Sequence, residues 1–101
     1  MSDKSVILIN LLKVEPVNQG ALIELLRLNT DTVIRTLRGW RRTRLIAAAD
    51  GASVAIYSEW DDQAAVDAMR ADARMHAYFP RISALASLDS VVGAAVLDEA
   101  P

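Results

Sequence analysis

Apolar residues open the chain in a short, dense run. Residues 5–14 read SVILINLLKV, rich in β-branched and aliphatic side chains and too short for a confident helix. On a strand, Val6, Leu8, Asn10, Leu12 and Val14 share one face, and Ile7, Ile9 and Leu11 share the other. Both faces are apolar, and a strand apolar on both faces is covered on both. Pro16 and Asn18 then signal a turn and a helix start. Over residues 17–37 the spacing becomes helical: Leu22, Leu26, Asn29, Val33 and Leu37 form a stripe, flanked by Leu25, Thr30 and Ile34. Glu24, Arg27, Asp31, Arg35 and Arg38 fall on or near the other side, with Asp31 and Arg35 at i,i+4, a pair worth roughly 0.3 kcal/mol. Gly39 is expected to cap the helix C-terminus.

Residues 40–49 and 52–60 read as two strands joined by the Asp50-Gly51 hairpin turn. Val54, Ile56, Ser58 and Trp60 share one face of the second strand, and Ala55, Tyr57 and Glu59 the other. Asp61 or Asp62 caps a helix through about Arg70. A further short helix is expected over 73–86, kinked or divided by Pro80, and a last strand over about 88–97.

The order β-α-β-β-α-β is the split βαβ, or ferredoxin-like, α+β arrangement: a four-stranded antiparallel sheet with helices on one face. The opposite face carries Ile7, Ile9, Leu11, Ala55 and Tyr57. An apolar face of that kind calls for a cover. A second copy of the chain is the simplest one, since twofold homodimers are the commonest oligomers.

Composition narrows the picture. With 101 residues the chain is expected to form one domain, spanning 1–101. Such a domain buries roughly 65% of its unfolded surface. Hydrophobic residues make up 52%, which rules out a disordered chain. A net charge of -2, with both signs interspersed, gives no footprint for nucleic acid. The absence of cysteine removes disulfides, thiolate metal sites and Cys nucleophiles, and fits a reducing cytoplasm. No apolar run is long enough to span a membrane.

Candidate chemistry lies where polar residues break apolar stripes. Asn10 lies between Leu8 and Leu12, and a buried amide without partners costs roughly 1–3 kcal/mol. It either bonds a neighbouring backbone group or water, or anchors a ligand oxygen. Asn29 and Thr30 interrupt the helix stripe and suggest a cavity between helix and sheet, or a backbone-bonded patch at its edge. Trp60 fits both a core filler and a flat wall for a planar ligand. His76 is the sole histidine, the side chain able to exchange protons near neutral pH. Asp61-Asp62 reads as a helix cap, and Arg41, Arg42 and Arg44 as a solvated or acid-paired patch, or else a site for an anion or phenolate. Ser58 has no His or acid at a telling spacing for a triad.

Taken in order, VILINLLKV, LRGW, ADGASVAIYSEWDD and RMHAYFPRI resemble the antibiotic biosynthesis monooxygenase family over about residues 5–97. The motifs are Gly39-Trp40 at a strand start, the Asp50-Gly51 hairpin, Tyr57-x-x-Trp60 before acidic residues, and Met75-x-Ala77-Tyr78. The resemblance implies a dimeric α/β barrel and a cofactor-independent oxygenase acting on aromatic polyketides or quinols in a pocket between helices and sheet. Trp60 falls on the family Trp; the family's Asn, Tyr and Arg would fall at Ile56, near Val66 and near Phe79, with Arg81 and Arg74 close by. A haem-degrading branch is matched by Asn10 and His76, its Trp falling near Met69. The expected catalytic residues are therefore Asn10, Trp60 and His76, with Tyr78 a second proton-transfer candidate. Asn29, Thr30, Ile56, Ser58, Tyr78 and Phe79 are expected to bind a small planar aromatic that reacts with O2. Neither a metal nor a cofactor is expected. A cyclase-like or small-ligand-binding or haem-binding dimer is the alternative.

Overall fold

A computed structural model describes residues 4–101. The elements are β1 (Val6–Val14), a 3-10 turn (Pro16–Asn18), α1 (Gln19–Thr32), a second 3-10 turn (Ile34–Thr36), β2 (Trp40–Ala47), β3 (Ser53–Trp60), α2 (Gln63–Ala71), α3 (Ala73–Ser83) and β4 (Ala86–Gly93). The sheet order is β2-β3-β1-β4, with every neighbouring pair antiparallel. This is the ferredoxin-like topology the element order implies.

Four expectations need correction. The helix expected over 17–37 is regular only from Gln19 to Thr32. Thr30 and Thr32 turn their hydroxyls back onto the Leu26 and Leu28 carbonyls, and a β-branched run, Thr32-Val33-Ile34, follows. Both features disfavour continuation, and Val33 leaves helical geometry at φ -124°. With Arg35 in the 3-10 turn, the Asp31–Arg35 ion pair does not form; Arg27 instead lies 3.9 Å from Glu24.

Gly39 does take a positive φ, 86°, yet it lies beyond the helix and serves a turn into β2. A Cβ there would stand 2.6 Å from the Ala65 Cβ, so the close approach of α2 also requires glycine. The helix expected over 73–86 runs from Ala73 to Ser83, and Pro80 lies inside it without dividing it. The break in this region comes at Asp72, extended at ψ 131°, between α2 and α3. Its carboxylate caps α3 by accepting from the Arg74 N–H at 2.8 Å, and Asp62 caps α2 through Ala65 N–H.

The last strand is shifted to Ala86–Gly93 from the expected 88–97. Its template sets this register: Val14 pairs with Ala86 and Ile7 with Gly93. Beyond Gly93, β1 has only Val6 left, so Ala94–Leu97 have no strand to pair with and Val96 and Leu97 stay exposed.

The helices cover one face of the sheet, burying Leu8, Leu12, Val14, Val54, Ser58 and Trp60. Two separate clusters make up the core. One joins Leu8, Val33, Trp60, Val66, Met69 and Met75; the other joins Leu12, Val14, Leu22, Leu26 and Val54. The outer face leaves Ile9, Leu11, Ile46 and Val91 40–66% exposed. No helix of the described residues is long and apolar enough to cross a membrane.

Candidate functional site

Between the two core clusters lies a cavity of about 520 Å³. The polar interruptions in the sequence mark its position. On β1, Asn10 separates Leu8 of one cluster from Leu12 of the other. On α1, Asn29 separates Leu26 from Val33 in the same way. On β3, Ile56 lies between Val54 and the Ser58/Trp60 pair. All three line the cavity. Leucines at the two asparagine positions would have merged the clusters into one core.

Trp60, 1% exposed, forms a wall. Its indole N–H donates to Ser58 Oγ at 3.0 Å, and Ser58 in turn donates to the Leu8 carbonyl at 3.3 Å. The polar edge of the tryptophan is thereby committed to protein, and the ring offers the cavity only apolar surface. Asn10 is held by β4: its register partner Ser90 donates a short hydrogen bond to Asn10 Oδ1. Asn29 is 3% exposed, and its Oδ1 is buried with no hydrogen-bond partner. A buried carboxamide oxygen rarely goes unpaired in a folded protein. Leu88 and Ser90 line the cavity yet remain exposed, so it opens along the β4 edge.

Of the nine site residues expected from sequence, Asn10, Asn29, Ile56, Ser58, Trp60 and Phe79 meet in this cavity. Thr30, Tyr78 and His76 do not line it. Thr30 bonds the Leu26 carbonyl. Tyr78 exchanges a hydrogen bond with Thr32 at 3.0 Å and lies under the Arg81 guanidinium at 5.4 Å. His76 is exposed, its Nε2 is 2.8 Å from the Arg70 carbonyl, and its ring leans on Phe79 at 5.8 Å. The haem reading therefore lacks a histidine in the cavity, and these residues do not fit that group.

Sequence reasoning missed Ser90 and Arg70. Pairing β1 with the last strand in register would have found Ser90 opposite Asn10. Among the described residues Arg70 is the one charged residue lining the cavity, while Arg74 is paired with Asp72 at 3.3 Å and Arg81 engages Tyr78. Two of the three arginines in the basic run on β2 meet acids: Arg41 lies 2.7 Å from Asp61 and Arg42 3.7 Å from Glu59. Tyr57, which donates to Glu59, has its phenol raised by partial desolvation on the sheet and by that bond, and faces away from the cavity. Among the described residues no group of three or more His, Cys, Asp or Glu side chains is placed to hold a metal ion.

A family description, antibiotic biosynthesis monooxygenase, matches residues 5–81. The chain belongs to the antibiotic biosynthesis monooxygenase family. Among solved structures it is similar to Rv0793 from Mycobacterium tuberculosis, at 26% identity, TM-score 0.81, with 96% of this chain and 99% of that one covered. The fold is shared with the ActVA-Orf6 monooxygenase of Streptomyces coelicolor, solved with nanaomycin D, at 22% identity and TM-score 0.87 over 98% and 94% of the two chains. It is shared too with SnoaB, a cofactor-independent oxygenase from Streptomyces nogalater, at 17% identity and TM-score 0.80 over 94% and 96%. No curated protein matches the sequence. Against the four residues the family resemblance carries, Trp60 and the Ile56 and Phe79 positions reach the cavity, whereas Val66 is fully buried in the core.

Proposed function

We propose that this protein is a cofactor-independent monooxygenase that oxidises a planar aromatic phenol or quinol in the cavity between sheet and helices. One observation carries the reading: a largely apolar cavity, walled by Trp60, is interrupted by the carboxamide residues Asn10 and Asn29. Such an arrangement is costly to the fold and useful to a flat, oxygenated ligand. Family membership and the cofactor-independent neighbour SnoaB support the oxidative chemistry.

In this mechanism the substrate supplies the electrons. Loss of a proton gives an electron-rich phenolate, which passes one electron to O2. The resulting radical and superoxide combine, and loss of water leaves one oxygen atom on the ring as a new carbonyl. Overall a ring CH2 and O2 give C=O and H2O. Among the described residues no carboxylate, histidine, lysine or tyrosine lines the cavity, and the phenolic proton leaves to solvent through the β4 opening. Arg70 favours the anion electrostatically, Asn10 and Asn29 orient the ring, and Trp60 and its apolar neighbours exclude water.

The proposal includes a homodimer formed through the outer sheet face, and a cytoplasmic location argued from the cysteine-free composition. The test is O2 uptake by metal-stripped protein with anthrone-like phenols and hydroquinones. Uptake above background that falls in folded Trp60→Phe and Asn10→Ala variants is the expected result. Stoichiometric binding of the same compounds without uptake would favour the cyclase-like or binding alternative.

A further inference from the structure

We propose that Met69 and Met75 form a modification site: a small peroxide entering the cavity oxidises their thioethers to sulfoxides, which weakens the wall that holds Trp60. The inference uses the geometry and composition of the cavity and does not depend on the reaction proposed for it. The chain has no cysteine, so no thiol competes for the oxidant. Methionine is then the side chain most readily oxidised by a peroxide. Both methionines of the described residues line the same cavity. Met69 lies in the last turn of α2 and Met75 in the first turn of α3, on either side of the extended Asp72. They are 6% and 3% exposed. Such burial ordinarily spares a methionine, because reactivity follows exposure. Here both border a cavity of about 520 Å³ that opens along β4, wide enough for hydrogen peroxide, which is little larger than water.

The step balances between the two reactants. The thioether sulfur attacks one peroxide oxygen; an S–O bond forms and the O–O bond breaks. Sulfur loses two electrons, the peroxide gains them, and the second oxygen leaves as water once it has taken up the remaining proton. The product adds a polar S=O acceptor to a side chain packed as an apolar residue. Met69 and Met75 share a buried cluster with Leu8, Val33, Trp60 and Val66. Among those six the indole N–H of Trp60 is the one side-chain donor, and it is already given to Ser58 Oγ at 3.0 Å. A sulfoxide oxygen inside the cluster goes unpaired, or it pulls its side chain out toward the polar residues of the cavity. Either outcome loosens the wall.

The test is the rate of methionine oxidation in the full chain under added hydrogen peroxide, read residue by residue by peptide mass spectrometry. The urea-unfolded chain and free N-acetylmethionine are the references. Oxidation through the cavity should bring the native rates of Met69 and Met75 to within about a hundredfold of the unfolded rate, and the native rates should stay flat in urea below the unfolding transition. Sulfurs sealed in a core react only when the chain unfolds. With about one chain in a thousand or fewer unfolded, their rate would lie about a thousandfold or more below the reference and climb steeply with urea. That result overturns the proposal. Leu88→Trp puts a larger ring at the β4 opening, where Leu88 lines the cavity and is 54% exposed. It should slow native oxidation several-fold and leave the unfolded rate unchanged; an unchanged native rate in the folded variant overturns the route. Oxidised wild type should show a lower urea midpoint. A Met69→Leu, Met75→Leu double variant, close to wild type in side-chain volume, should keep its midpoint after the same treatment. Equal midpoints for oxidised and untreated wild type overturn the weakening of the wall, and so does a double variant that loses as much as wild type. No reading uses turnover: failure here leaves the oxygenase reading standing, and an absence of O2 uptake leaves this one standing.

Discussion

Trp60 and Ser58, two residues apart on the same face of β3, are joined by an indole N–H to hydroxyl hydrogen bond of 3.0 Å inside the core. This link explains why a serine lies among buried apolar residues, itself only 3% exposed. It also sets what the tryptophan can do, since its only donor is occupied. Ser58→Ala should strand the indole N–H and cost about 1–3 kcal/mol, seen as a lower urea midpoint with unchanged slope. A Ser58→Ala protein as stable as wild type would mean that the indole bonds elsewhere, and Trp60 would regain a possible donor role toward ligand.

Among the described residues no histidine or carboxylate lines the cavity, and His76 is turned outward onto the Arg70 carbonyl. Under the proposed function, the rate should rise with pH through the substrate's own phenolic pKa. Across phenols of different acidity that rise should move with the substrate. His76→Gln should leave the profile in place, whereas a loss of about 100-fold or more would put His76 into the proton transfer. Arg70→Gln should displace the rise to higher pH, because a cation near the phenolate favours the ionised form.

The fold was legible because each element repeats its period clearly. The alternation of Leu8, Asn10, Leu12 and Val14 gave the buried face of β1, and the Asp50-Gly51 turn gave the hairpin. The site was half legible, through polar residues at apolar positions: Asn10 and Asn29 announced the cavity from the sequence. What stayed hidden depended on long-range register and on side-chain direction. Ser90 faces Asn10 from 80 residues away, a relation that only strand pairing sets. Thr30 looked like a cavity residue by stripe position, yet its hydroxyl reaches its own helix at Leu26. His76 looked functional by residue type, and type carries no information about which side of α3 faces the cavity.

Asp72, the N-cap of α3, has its carboxyl held below the usual range, first by the hydrogen bond from the Arg74 side chain and then by the Arg74 backbone N–H. A lowered folded-state pKa stabilises the fold above the unfolded value of 3.8, and that stabilisation is lost as pH falls through the folded pKa. Asn still caps a helix but carries no charge. Asp72→Asn should therefore melt below wild type at pH 6 and converge with it as the pH drops well under 3.8. Melting curves that differ equally at all pH values would assign the effect to cap geometry instead of charge.

The outer sheet face gives the last prediction. Ile9 is paired with Tyr57 on one side and Val91 on the other, which puts it in the middle of that face. Ile9 and Val91 are 42% and 66% exposed, so the row offers a second copy an apolar centre flanked by the Arg42–Glu59 pair. A twofold contact would bring this row onto itself, and a carboxylate at its centre would be buried without a partner. Ile9→Glu should sediment as a monomer where wild type sediments as a dimer, with the far-ultraviolet spectrum unchanged. The cavity lies on the opposite, helix-covered face, so the monomeric variant should still bind the anthrone-like phenols used in the O2-uptake test. A wild-type chain that is monomeric at tens of micromolar would leave the exposed face unexplained and remove the dimer from the proposed function. A monomeric Ile9→Glu variant that no longer binds would show that the partner copy shapes the cavity across the sheet.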